Sequence, residues 1–208
     1  MVGSDGAAGV RRLAAAAAAA HVAGLSASWF YLRPGSFLVP LEERLAYLGG
    51  EPVGWRITWC VWVLCALALS TFARLLARSE PSARARAGVL LVRLAAALDV
   101  SLSLVFAFLV PSLYAARPDD ALAIHRGFEL LSVVGANGTY SLGVLVVTGG
   151  LGFASAAARR LAWLTAGSGW LLAAGGALES APLVAAGTPA TILLATAWML
   201  ALARDAGE

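Results

Sequence analysis

Residues Ala87–Ser112 read AGVLLVRLAAALDVSLSLVFAFLVPS, a run in which only Arg93 and Asp99 carry charge. A helix needs about 20 largely apolar residues to cross the hydrocarbon core of a bilayer. This stretch meets that requirement, and it is read here as a membrane-spanning helix with one carboxyl near its middle. Working outward, Ser79, Pro81 and Ser82 separate it from an apolar run at 55–77, and Pro118, Asp119 and Asp120 separate it from another at 125–152. Further runs lie at 13–32, 160–180 and 183–203. Pro34, Gly35 and Pro40 follow the first of them, Arg159 and Arg160 open the fifth, and Pro182 leaves a tight hairpin before the sixth. Pro189 falls about two turns into that last run, where a kink or a late start is expected. The expected fold is all-α: one integral membrane domain over 1–208, a bundle of six transmembrane helices.

Composition agrees. The chain has 208 residues, 60% of them apolar before its 22 glycines are counted and 13% charged, with a mean hydropathy of +0.80. Soluble domains are about 45–50% apolar with glycine included and about 25% charged. A water-soluble globule, a nucleic-acid binder and a disordered tail are thereby excluded. All 15 basic residues are Arg, so no lysine exists to form a Schiff base or to complete a Walker A phosphate loop. Cys60 and Cys65 are five apart on one helix, which puts their Cα atoms about 8–9 Å apart, too far for a disulfide. They are read as small packing residues. The sequence holds no His-x-x-x-His, no Cys-x-x-Cys and no Ser-His-Asp order, so neither a metal nor a cofactor is expected.

Arginine placement orients the bundle. Arg11 and Arg12 precede the first span, Arg74, Arg78, Arg84 and Arg86 flank the second loop, Arg159 and Arg160 the fourth, and Arg204 the C-terminus. The positive-inside rule then puts both termini in the cytoplasm, which an even number of spans requires. A cleavable signal peptide is the rival reading of the N-terminus. The apolar stretch continues through Trp29, Phe30, Tyr31 and Leu32, and this length favours a retained helix. Residues 37–48 form the one substantial external segment. Pro40 starts a short helix there with Leu41, Leu45 and Leu48 on one face and Glu42, Glu43 and Arg44 on the other. It either lies on the bilayer surface or covers a cavity that opens outward.

Ionisable groups inside spans cost roughly 2.5–3.5 kcal/mol each on insertion scales and usually face a bundle interior or water. His21, Asp99 and Asn137 fall near the middles of the first, third and fourth spans, with Arg56, Glu129 and Glu179 nearer the outer surface and His125 and Arg126 at the rim. Glu129, Val133, Asn137 and Tyr140 share a helix face within about 80°. Thr165, Ser168, Leu172, Gly175 and Glu179 form a weaker face on the fifth span. An outward-opening cavity lined by Arg56, Trp59, Glu129, Asn137, Tyr140 and Glu179, floored by Asp99 and His21, is the expected arrangement. Duller readings stay open beside it: Asp99 locked to His21 or Asn137, Arg56 paired with Glu129, Asn137 as interhelical glue. Trp55 suits an interfacial anchor, and Trp59 and Trp62 suit core or lipid packing or an aromatic wall.

The order of a surface helix, Trp55-Arg56-x-x-Trp59, Leu98-Asp99 and Asn137-Gly138-x-Tyr140 resembles a broad group of bacterial multi-pass membrane proteins described only as a domain of unknown function. The resemblance implies a six-helix protein of the bacterial inner membrane and no particular activity. Two functions are expected from the residues themselves. One is binding of a small amphipathic or lipid-like molecule, as sensor, carrier or transporter. The other is an intramembrane enzyme using Asp99 or Glu129 as acid or base, with His21 in support, on a lipid or isoprenoid substrate. Membrane lipids are partners in either case.

Overall fold

The computed structural model describes residues 4–50 and 52–207, and among them there is no strand. The α-helices among these residues are α1 Ser4–Tyr31, α2 Leu41–Gly49, α3 Val53–Ser79, α4 Ala83–Leu104, α5 Val110–Ala116, α6 Pro118–Leu130, α7 Asn137–Gly149, α8 Ala156–Ala177 and α9 Ala181–Asp205. Their starts follow from local chemistry. Ser82 accepts a hydrogen bond from the Ala85 amide at 2.9 Å and Ser155 one from Ala158 at 3.2 Å, each satisfying an orphan donor of the first turn. Pro118 and Pro182 sit in first turns, where a missing N–H costs nothing.

Among the described residues, five helical segments are long and apolar enough to cross a membrane: Ala8–Tyr31, Val53–Ser79, Ala83–Ala116, Asp120–Gly149 and Ala181–Asp205. The run expected at 160–180 is helical as α8, but it falls outside those five. Thr165, Gly167, Ser168, Gly169, Gly175 and Gly176 dilute its hydropathy. The third and fourth segments are continuous rods: α4 passes into α5 through a π-helical turn at Val105–Leu109, and α6 into α7 through another at Leu131–Ala136.

The helices α1, α3, α4, α7, α8 and α9 pack each against the next, and α9 closes the ring on α1. Glycine sets the spacing of one seam. On α4 and α7, Gly150 sits against the Ala85 backbone, Gly88 against the Val147 backbone and Gly143 against Val92. Each step up one helix is matched by an equal step down the other, so small residues let two antiparallel backbones meet without intervening side chains.

The two ends of the ring differ. At the end carrying both termini a core of Leu69, Phe72, Leu76, Val147, Trp198 and Leu202 fills the interior. Polar ties close it. Glu80 accepts from the Gly152 amide at 2.7 Å, Ser82 donates to the Gly150 carbonyl at 2.8 Å, and Asp205 accepts from the Ser155 amide at 2.9 Å. At the opposite end a second cluster of Leu48, Trp55, Leu102, Phe106, Val110 and Tyr114 packs beneath α2, and beside it the ring is hollow.

Candidate ligand-binding cavity

A cavity of about 550 Å³ occupies the hollow half of the ring, bordered by all six ring helices, the α6 segment that leads into α7, and the 33–38 connection after α1. Its α3 wall runs Trp55, Trp59, Trp62, Ala66 and Leu69, a spacing of three and four that keeps one helix face on the cavity. The α1 wall presents His21, Leu25 and Ser28 in the same way. Asp99 borders it from α4, and Phe106 from the π turn that follows.

Two π turns interrupt the rods that line this space. On a straight α-helix Glu129, Val133, Asn137 and Tyr140 already share a face within about 80°. The wide turn at Leu131–Ala136 lies between Glu129 and Asn137, and Glu129, Ser132, Val133, Asn137 and Tyr140 all border the cavity. Such a turn shifts carbonyls out of the regular ladder: the Phe106 carbonyl faces Pro111, which has no N–H, while the Ser132 carbonyl takes the Asn137 backbone amide and a second donor from its side chain. Trp55 Nε1 donates to the Phe106 carbonyl at 2.6 Å, and Asn137 Nδ2 to the Ser132 carbonyl at 3.4 Å. Pro189 does the equivalent on α9, where it lacks the N–H that the Ala185 carbonyl would take, and both residues border the cavity.

Of the residues expected to line an outward cavity, Trp59, Asp99, Glu129, Asn137, Tyr140 and His21 border this one, whereas Arg56 and Glu179 do not. No hydrogen bond among the described residues joins His21, Asp99 and Asn137, although all three border one space. His21 Nδ1 donates to the Ala17 carbonyl of its own helix at 2.7 Å, which leaves Nε2 as the acceptor of the ring. Asn137 serves its π turn. Asp99 Oδ2 accepts from the Tyr140 hydroxyl at 3.4 Å, so its partner is the tyrosine.

Glu129 is held from a direction that the helical wheel misassigns. Arg44 of α2, expected on a polar outer face, is buried, and its Nη2 lies 3.1 Å from Glu129 Oε2 and 2.9 Å from His125 Nδ1. His125, expected at the rim, is 1% exposed. Its Nδ1 also takes the Tyr114 hydroxyl at 3.1 Å, and its Nε2 stands 3.6 Å from Glu129 Oε1. With two donors on Nδ1, the ring is neutral and carries its proton on Nε2. The partner of Glu129 is therefore Arg44 rather than Arg56. A signal existed in the sequence: Arg44 is only about 40° from Leu48 on the wheel of α2, at the margin of its apolar stripe. Tyr47 of the same helix donates to the Tyr31 carbonyl at 2.7 Å, and burial raises its hydroxyl above the ordinary tyrosine range, which keeps it a donor.

Glu179 sits at the end of α8 with φ 55°, in the left-handed region. The Ser180 amide reaches the Gly175 carbonyl and the Glu179 amide the Gly176 carbonyl, which is a Schellman end with Glu where glycine is usual. Its carboxylate pairs with Arg126, tying the α8 end to α6 at the rim. Trp55 is 2% exposed and is a wall residue rather than an interfacial anchor. Among the described residues no three His, Cys, Asp or Glu side chains are gathered to hold a metal ion. Asp99 and Glu129 border the same cavity and keep separate partners, Tyr140 and Arg44. No protein-family model, curated protein or solved structure matches the chain.

Proposed function

We propose that the chain is an integral membrane protein that holds a small amphipathic molecule inside its helix ring, as a sensor, carrier or transporter. The observation that carries this reading is the cavity: about 550 Å³, within the range of small-molecule sites, with aromatic and aliphatic walls and a few isolated polar groups. We take α8 as a sixth span. It packs along α9 after a three-residue turn at 178–180, inside the same ring as the five apolar helices. Six spans put both termini on one side, and Arg11, Arg12, Arg74, Arg78, Arg84, Arg86, Arg159, Arg160 and Arg204 gather at that end, which makes it the cytoplasmic one. The cavity then opens outward beside α2, in the bacterial inner membrane that the family resemblance implies.

The orientation has a direct check. In a background with Cys60 and Cys65 replaced by alanine, a cysteine introduced at Glu42 is expected to react with an impermeant maleimide in intact cells. One at Ser82 is expected to react only after lysis. Labelling of position 82 in intact cells reverses the topology.

Binding is tested by fluorescence. Trp163 and Trp170 are exposed, and so is Trp29 at the mouth of the cavity; replacing the three with Phe keeps an aromatic ring at the mouth and leaves Trp55, Trp59 and Trp62 as the cavity's tryptophans and Trp198 in the core. This variant, in phosphatidylcholine nanodiscs, is titrated with three twelve-carbon amphiphiles brominated at the tail, with alcohol, sulfate or trimethylammonium heads. At least one is expected to quench to saturation near one molecule per protein. Quenching that rises linearly for all three, as collision from the bilayer does, removes the binding function.

A further inference from the structure

Charge on the cavity wall is unbalanced, and the imbalance points to a class of ligand. Among the described residues two carboxyls and one guanidinium border the cavity: Asp99, Glu129 and Arg33. Arg33 is at the mouth with its guanidinium carbon 4.9 Å from the centre of the Trp29 ring, so an aromatic face already receives it. Glu129 is matched by Arg44 and sits against His125. Asp99 has the Tyr140 hydroxyl and, among the described residues, no cation. It sits near the middle of the Ala83–Ala116 span and keeps some accessible surface there because it borders the cavity.

The rest of the wall suits a positive charge. Trp59 stacks on Phe106 with ring centres 4.5 Å apart and planes 24° from parallel. Trp62 is oriented by donating to Ser28 at 2.9 Å and meets His21 edge-on at 6.2 Å. Phe106 lies seven residues beyond Asp99, roughly 10 Å along the helix. A carboxyl with aromatic rings above it is the arrangement that accepts an ammonium group, because ring faces attract a cation without the desolvation cost of a second charge. The apolar remainder of the cavity, Leu25, Leu69, Val144, Leu172 and Ile192, suits a hydrocarbon body.

We propose that the ligand is an amphipathic organic cation, a tertiary or quaternary ammonium on an apolar body, bound with its charge between Asp99 and the aromatic wall of Trp59, Trp62 and Phe106. This rests on the binding function proposed above and narrows it to one class of molecule.

The same three brominated probes decide the matter when quenching is plotted against their mole fraction in the bilayer, which removes differences in partitioning. The trimethylammonium is expected to reach half-saturation at a mole fraction at least tenfold below the alcohol, with the sulfate weakest. Asp99→Asn, which keeps the shape of the side chain, is expected to bring the ammonium and the alcohol within about twofold. Equal half-saturation by ammonium and alcohol with Asp99 intact, or tighter binding of the sulfate, overturns the cation assignment and leaves the binding function standing. An ammonium preference undiminished in a folded Asp99→Asn protein also overturns it. Should Asp99→Asn not fold, the order of the three probes on the parent protein decides alone. No saturable probe at all removes both proposals.

Discussion

Arg44→Met is expected to cost the folded protein about 3–5 kcal/mol, the usual consequence of removing one member of a buried ion pair. Arg44 is 5% exposed, and its guanidinium is the group that compensates Glu129. Without it Glu129, half-buried, keeps the neutral His125 beside it and, as a cation among the described residues, only Arg126, which is already paired with Glu179, while His125 keeps Tyr114 alone as donor to Nδ1. A protein of this size loses roughly 2–4 °C of Tm per kcal/mol, so a fall on the order of 10 °C in detergent is anticipated. The double variant Arg44→Met/Glu129→Gln removes the stranded charge and is expected to recover most of that loss. With the Glu129→Gln single variant completing the cycle, the non-additivity measures the coupling between the two residues. A shift under about 1 kcal/mol for Arg44→Met alone contradicts the buried placement, because a solvated surface pair contributes no more than that. The result bears on the cavity as well, since this cluster fastens α2 over the end of the ring that is hollow.

The second large effect is expected at Gly88. A Cβ placed there lands on the backbone of Val147, and backbone cannot rotate aside as a side chain can. Gly88→Ala gains up to about 1 kcal/mol of helix propensity. It forces α4 and α7 apart, an overpacking that costs typically 1–3 kcal/mol. A net loss of stability is expected, and Gly88→Val, with a branched carbon at the same place, is expected to yield little folded protein. Gly167, with nothing within 4 Å of its would-be Cβ, is the matched control. Gly167→Ala is expected to leave the melting temperature level or raise it slightly. Equal behaviour of Gly88→Ala and Gly167→Ala removes the close α4–α7 seam. The seam matters for the site because the same two helices carry Asp99 and Tyr140, whose 3.4 Å hydrogen bond depends on how closely the rods approach.

Much of the cavity wall was legible residue by residue. His21, Asp99 and Asn137 stand out in any reading of the spans, because a polar group in hydrocarbon has to face something other than lipid, and all three border the cavity. The spacing of Trp55, Trp59 and Trp62 likewise marks one helix face, though spacing alone leaves open whether that face meets core, lipid or a cavity. The pairings were not legible. Asp99 takes Tyr140 rather than His21 or Asn137, Glu129 takes Arg44 rather than Arg56, and Asn137 is spent on the Ser132 carbonyl of its own rod. Partners are chosen by the rotation and approach of separate helices, and those quantities are set by contacts far apart in sequence.

Two features illustrate the division. Runs of about twenty apolar residues bounded by Pro, Gly, Ser and Arg determine by themselves that the chain is all-helical and where its long apolar helices run. Burial of a backbone in hydrocarbon leaves helix as the local solution, and each run carries that information within itself. The π turns at Val105–Leu109 and Leu131–Ala136 belong to the other kind. Nothing in LSVVGA distinguishes it from α-helix. VFAFL is followed two residues on by Pro111, which lacks the N–H that the Phe106 carbonyl would take, and Trp55 supplies a donor there as Asn137 does at Ser132. The Trp55 donor comes from another helix. The Trp55 bond to the Phe106 carbonyl, the pairing of Asp99 with Tyr140 and the burial of Arg44 against Glu129 and His125 were therefore decided only when the helices met, because a partner supplied from across the bundle exists only in the assembled fold.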